Sequence, residues 1–328
     1  MYHVVMLDII MTIGPVSERP DTIELMLEVA TRFRINIAHL DSQHLQRILS
    51  SLEEHYRAFG RITPVVIDLQ GAKIRIGKYP RVTEIPSVVD LVLAGISNDA
   101  TVIPVPHESV FLMTQIGDTI CLNDGKVVLK IIDKIGPVRM RAECMQNGEL
   151  GSAKGLNSVD HVFALARMTE VDSEAVKIGN EYPFVEYAVS FVGDGSEAGF
   201  FRPFTGHHRL IAKIERRVAM ENLINIDDNF DELWLCRGDL GAEVGWRDLG
   251  VLQNTFVKAF PLLHRPKILA GEVLGSMVSS PLPSRSEMVH LYDILQSGFD
   301  GIVLSDETAC GVHLSDVIRF LREYLRIS

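Results

Sequence analysis

In the run LIAKIE, Lys213 and Glu215 stand two residues apart within a short apolar stretch. Read as a strand, that spacing sends both side chains to the same face. A second apolar stretch, ELWLCRGDLG, reads as another strand, ending in Arg237, Gly238 and Asp239. If the two strands are neighbours, one ammonium and two carboxylates converge at their ends. Such a trio suits a hydrated divalent cation, which takes carboxylate oxygens, and a substrate anion whose charge the lysine neutralises. Taken singly, each fragment also fits a structural ion pair capping a sheet, with RGDLG an ordinary glycine turn.

A trio of this kind needs repeated strands to carry it, and the sequence supplies them. The apolar run from Val4 to Pro15 is followed by DTIELMLEVATRF, where Ile23, Met26, Leu27 and Ala30 fall at helical spacing. INIAHL and PVVIDLQG repeat the strand signal, with SQHLQRILSSLEEHYRAF as the helix between them. From about Ile76 to Asn157 the texture changes: VRMRAECM alternates apolar and charged residues, and Asn123-Asp124-Gly125 and Asn147-Gly148 signal turns. The rhythm then resumes with helix EVDSEAVKIG, strands YAVSFVG, LIAKIE and ELWLCRG, helix LGVLQNTFVKAF, strand PKILAGE, helix EMVHLYDILQSG, strand GIVLSDE and helix SDVIRFLREYL. Strand centres near Asp8, Ile37, Ile67, Val189, Ala212, Leu235, Leu269 and Val303 predict an α/β fold, a (β/α)8 TIM barrel. The expected division is a barrel over 1–75 and 158–328, with a small β-barrel-like lid domain, 76–157, inserted after the third strand. In such a barrel the active site lies at the C-terminal ends of the strands.

With 328 residues, 47% of them hydrophobic, the chain can bury a large core. The net charge of -11 and the absence of a basic stripe disfavour nucleic acid and anionic membrane as partners. Cys121, Cys144, Cys236 and Cys310 are scattered, without the spacing of a zinc site or a disulfide framework. The opening MYHVVMLD has no basic leader, and no apolar run reaches the roughly 20 residues of a bilayer span, so the expectation is a cytoplasmic protein.

K-x-E followed by C-R-G-D-L-G resembles the metal and phosphoryl-transfer core of pyruvate kinases, and the resemblance runs from the first strand to the last. It implies a phosphotransferase working on phosphoenolpyruvate or pyruvate and ADP or ATP with Mg2+ or Mn2+. Thr12 and Pro15 in TIGP are similar to the family's nucleotide-contacting turn. Arg34, Asn36 and His39 in RINIAH match a motif whose Arg holds the transferring phosphoryl group and whose Asn and His lie toward ADP. Arg75 in GAKIRIG matches a second phosphate-holding Arg, a role suited to a planar guanidinium. Asp124 and Lys154 match lid positions that face the nucleotide, and Ser190 and Phe191 a motif below the substrate. The resemblance assigns Lys213 to the phosphoryl and enolate charge, Glu215 and Asp239 to the metal, Gly238 to the substrate carboxylate, and Ser305 with Glu307 to the motif of the last strand. The family's separate C-terminal domain has no counterpart in this sequence, so its sugar-phosphate regulation is not expected. A homodimer is left open.

Departures from the family pattern shape the remaining expectations. At the family's monovalent-cation site Asn36 and Asp68 are kept, while Ala38 and Leu69 replace two hydroxyl residues. Lys73 replaces a glutamate, and family members that resemble this substitution need no potassium, so Lys73 with Asp68 is expected to stand in for K+. Gly271 replaces the family's catalytic Thr, Glu272 a Gln, Asp306 a Gly and Cys310 a Lys. Loss of the threonine hydroxyl predicts slow enolate protonation, with Gly271→Thr expected to speed turnover. Two other functions compete: metal-dependent lyase or decarboxylase chemistry on a pyruvate enolate, and a non-catalytic relative.

Overall fold

The structure is a computed structural model that describes residues 7–71, 73–123, 125–158 and 168–325, so Asp124 lies outside the described residues. Two compact units are present. One is bounded by Met1–Gly71, Arg167–Arg237 and Leu252–Ser328, the other by Ala72–Ala166 and Gly238–Val251.

In the first unit, strands β1 (Asp8–Ile13), β2 (Arg32–Asn36) and β3 (Val65–Asp68) join five later strands in a closed parallel barrel. In the second unit, β4 (Val88–Val92), β5 (Val102–Pro104), β6 (Thr119–Leu122), β7 (Val127–Lys134), β8 (Arg139–Gln146) and β9 (Leu156–Ser158) form a six-stranded sheet in the order β5-β4-β8-β7-β6-β9. The alternation expected in VRMRAECM is there: Met140 and Ala142 are buried between exposed neighbours. The later barrel strands are β10 (Val185–Val189), β11 (Leu210–Ile214), β12 (Glu232–Cys236), β13 (Lys267–Ala270) and β14 (Gly301–Leu304). The barrel order β1-β14-β13-β12-β11-β10-β3-β2 confirms the (β/α)8 expectation.

Strand periodicity sorts the barrel interior into layers. At mid-height Ile10, Val66, Ala188, Ile211, Trp234, Ile268 and Val303 pack as one apolar cluster that Cys236 and Ala270 extend toward the C-terminal ends. Two residues toward the N-terminal ends lies an ionic layer. Arg32 there meets Glu186 at 2.8 Å and Glu232 at 2.7 Å, and it also pairs with Asp8. Burial raises the Glu232 carboxyl above its ordinary range, while Arg32 pulls it back. Charge at this end of a (β/α)8 barrel reads as stability, whereas the opposite end carries chemistry. Two residues toward the C-terminal ends, the same parity brings Thr12, Arg34, Asp68, Lys213 and Cys236.

Several sequence expectations are corrected. The second strand runs over Arg32–Asn36 rather than centring on Ile37, which falls in a 3-10 turn. Apolar counting missed it because Arg32 and Arg34 occupy inward positions through ion pairing. The strand before R-G-D stops at Cys236, and a helix, Arg237–Val244, begins at once, so Asp239 sits in a first helical turn rather than on a strand end. Helices Ser196–Thr205, Arg217–Glu221 and Leu223–Asn229 were not expected; Gly199 and Pro203 mask the first, and the others are short. Among the described residues no helix is long and apolar enough to cross a membrane.

Candidate active site

The C-terminal rim of the barrel carries a continuous ladder of opposite charges. Arg34 donates through Nε to Asp68 Oδ2 at 2.8 Å and through Nη1 to Thr12 Oγ1 at 3.0 Å, and its Nη2 lies 2.6 Å from the same carboxylate. Asp68 Oδ1 lies 2.9 Å from the Lys213 ammonium, which also contacts Glu215 Oε1 at 2.8 Å and donates to Ser190 Oγ at 2.9 Å. Glu215 Oε2 accepts from the Phe191 backbone N–H at 2.9 Å. The order Thr12, Arg34, Asp68, Lys213, Glu215 follows strands β1, β2, β3 and β11, with the turn after β10 contributing Ser190 and Phe191.

Burial makes this ladder energetically demanding. Asp68 and Glu215 are 2% and 1% exposed, so neither charge is stable there without its partner. Burial alone would raise the Asp68 carboxyl; Lys213 and Arg34 outweigh it and hold the group below the ordinary carboxylate range. Burial would likewise lower the Lys213 ammonium, but Asp68 and then Glu215 keep it above its ordinary value, so it is protonated at neutral pH. Cys236 is pushed well up, first by burial and then by Glu215, and is an unreactive thiol.

Backbone geometry fixes the same rim. Phe191 has φ of 58°, in the left-handed region that non-glycine residues seldom adopt, and this conformation carries the N–H that Glu215 receives. The chain leaving β3 is held by Asp172, whose carboxylate accepts from the backbone N–H groups of Gln70 at 2.7 Å and Gly71 at 3.2 Å while closing a capping box with Thr169.

The structure thus gathers Thr12, Arg34, Asp68, Ser190, Phe191, Lys213 and Glu215. The Asn36 side chain turns back to accept from Ala38 N–H, and Pro15 is exposed. The His39 side chain lies outside what the structure describes. Ser305 N–H donates to buried Glu307 at 2.7 Å. In the second unit, Lys73 is ion-paired with Asp239, Arg75 donates to the Ala153 carbonyl at 2.9 Å, and Lys154 and Gly238 are exposed. A Cβ on Gly155 would lie 2.4 Å from Lys73 Cε, so glycine there leaves the path for the lysine chain. Sequence reading undervalued Asp68, now the hub of the ladder, gave Arg237 no role of its own and passed over Asp172. Two arginines spaced two apart, with an aspartate ending the next strand, were the available signal for the hub.

The backbone at Gly271 bears on one expectation. Its φ is 96°, and Glu272 follows at 52°. A β-branched residue at Gly271 would be strained by about 1–3 kcal/mol, so Gly271→Thr should lower stability and fail to speed turnover. Urea unfolding beside steady-state kinetics checks this; a variant as stable as the parent and faster would contradict it.

The donors fit a divalent ion of the magnesium type. Glu215 offers hard oxygens, each with lone pairs beyond its present contact, and Asp68 Oδ1 is met by an ionic contact rather than a well-aligned hydrogen bond. Among the described residues no three His, Cys, Asp or Glu are gathered as a cage. Magnesium sites often use one or two carboxylates, completed by substrate and water.

A buried lysine and arginine, interleaved with carboxylates, stand at the C-terminal rim of a (β/α)8 barrel, the end at which barrel enzymes carry their chemistry. The family model described as pyruvate kinase, barrel domain, matches residues 5–318, and the chain belongs to the pyruvate kinase family. That makes it a pyruvate kinase-like phosphotransferase. It is 30% identical to a pyruvate kinase of Agrobacterium vitis over 97% of this chain and 67% of the relative. It is 27% identical to one of Thermotoga maritima, over 95% and 69%, and 30% to one of Thermococcus litoralis, over 92% and 65%. The chain therefore spans about two thirds of the length of these relatives.

Proposed function

We propose that the protein moves a phosphoryl group between phosphoenolpyruvate and ADP, with Mg2+ or Mn2+ and without K+. The ladder Thr12–Arg34–Asp68–Lys213–Glu215 carries this reading, because it presents two permanent cations at the rim without leaving a buried charge unpaired. Arg34 holds the phosphoryl oxygens with N–H groups beyond those given to Asp68 and Thr12. Lys213 offsets the charge that grows on the enolate oxygen as the P–O bond breaks. Glu215 would hold the divalent ion, which would supply positive charge at substrate oxygens, and the resemblance assigns Asp239 to the same ion. Arg75, Lys154 and the nucleotide turn at Thr12 and Pro15 keep the roles the resemblance gives them, as does a lid over 76–157.

A thermal-shift panel of phosphoenolpyruvate, ADP, oxalate and Mg2+ tests the reading, since any ligand of the folded state raises the melting temperature. Stabilisation by both phosphoenolpyruvate and ADP is expected. Gly271, which brings no hydroxyl to the rim, favours enolate chemistry without a nucleotide as the second reading. Stabilisation by oxalate with Mg2+ but none by ADP would move the conclusion there.

Potassium independence rests on Lys73. Its ammonium is largely buried against Asp239, a fixed charge that needs no free ion. Activity in a K+ series against a tetramethylammonium control should be flat. Steep activation by K+ would contradict the assignment.

A further inference from the structure

Arg237 is the first residue after β12, and the acceptors that meet its guanidinium among the described residues are neutral. Nε donates to the Gly271 carbonyl at 2.9 Å, and Nη2 donates to the same oxygen and to the Glu272 carbonyl at 3.0 Å. Nη1 lies 2.6 Å from His290 Nε2, and because arginine has no acceptor, that ring nitrogen must be the acceptor, with the imidazole neutral. The two carbonyls belong to Gly271 and Glu272, at φ of 96° and 52°, two successive left-handed residues directly after β13. On the other side of this turn, Glu307, 1% exposed, accepts from Leu274 N–H at 3.0 Å and from Ser305 N–H at 2.7 Å. The loops after β12, β13 and β14 are thus tied by two charged side chains that grip one four-residue turn, its carbonyls held by the cation and an N–H by the anion.

We propose that Arg237 is a positioning residue for the phosphoryl-transfer site, holding the Gly271–Leu274 turn in its left-handed form while the next residues in the chain, Gly238 and Asp239, do the work assigned to them. This rests on the proposed function. The left-handed pair is unfavourable by itself, and a bidentate guanidinium on one carbonyl, extended to the next, is what makes the form stable. Lysine offers a point charge and cannot reproduce that fork.

The test compares wild type with Arg237→Lys and Arg237→Ala, by hydrogen exchange of a peptide covering 268–278 and by steady-state transfer from phosphoenolpyruvate to ADP. Exchange within 271–274 should be faster in both variants. kcat should fall roughly 10- to 100-fold, the cost of a small misplacement at a reacting centre, with the KM for ADP unchanged. Added guanidinium ion, but not methylammonium, should recover part of the kcat of Arg237→Ala. Unchanged exchange, or faster exchange with unchanged kcat, would overturn the proposal. Should both variants fail to fold, His290→Leu and His290→Gln decide: the first should loosen the turn and lower kcat, the second, which keeps an acceptor, should do neither, and equal behaviour of the two overturns the clamp. If wild type shows no transfer, the proposed function fails, and the exchange difference alone decides whether the clamp stands.

Discussion

Replacing Lys213 with methionine should reduce phosphoryl transfer at least ~10²- to 10³-fold, the range seen when one preorganised charge or donor is removed from a reacting oxyanion. The stability effect should be as informative. Lys213 touches both Asp68 and Glu215, and methionine keeps much of the volume while withdrawing the charge. Asp68 retains Arg34, while Glu215 loses the ammonium that meets its Oε1 and keeps the Phe191 N–H on its Oε2. Removing one partner of a buried ion pair costs about 3–5 kcal/mol. Lys213 is the first of the two cations that hold Asp68 below the ordinary carboxylate range, so the deficit should shrink as pH falls through that range. Chemical denaturation of both proteins across pH checks this. A deficit that grows in acid would mean that the Lys213 ammonium does not stabilise these carboxylates.

Asp68→Asn should have the second largest effect, although the resemblance gives this residue only a cation-site role. Arg34 and Lys213 would then share a buried region with Glu215 as the one remaining carboxylate of the ladder. A loss of roughly 3 kcal/mol is expected, and the two cations should separate enough to slow transfer by about 10²-fold. The wild-type acid profile follows from the same contacts. Asp68 is held below the ordinary carboxylate range, so its contribution is fully present above the unfolded pKa near 4, and is lost as pH falls through the lower folded value. Asp68→Asn should lack that part of the acid transition. An acid-unfolding profile identical in shape to wild type would place the ladder's stabilisation elsewhere.

Much of the architecture was legible because a parallel barrel writes itself as short apolar runs separated by helices, and helices Ser42–Phe59 and Glu170–Gly179 fall on the expected segments. Legibility failed where the barrel interior is not apolar. Arg32 and Arg34 look like surface residues in TRFRIN, yet both point inward because carboxylates from other strands meet them, a pairing no local pattern reveals. Lys213 and Glu215 were readable from their spacing, which is a property of one strand. The Asp239 expectation assumed that the strand continued through R-G-D; the helix starts at Arg237 instead, a switch that apolar periodicity does not mark. The left-handed turn at Gly271 was hidden as well, since glycine permits that φ without announcing it and Glu272 gives no sign at all.

The central claim, that this ladder is a phosphoryl-transfer site, is tested most directly by phosphorus NMR of phosphoenolpyruvate and ADP with Mg2+ in a tetramethylammonium buffer, using wild type and Lys213→Met side by side. ATP should accumulate with wild type as the phosphoenolpyruvate signal declines, while the variant leaves both substrates essentially unchanged. No ATP from folded wild-type protein, or equal rates from the two, would contradict it.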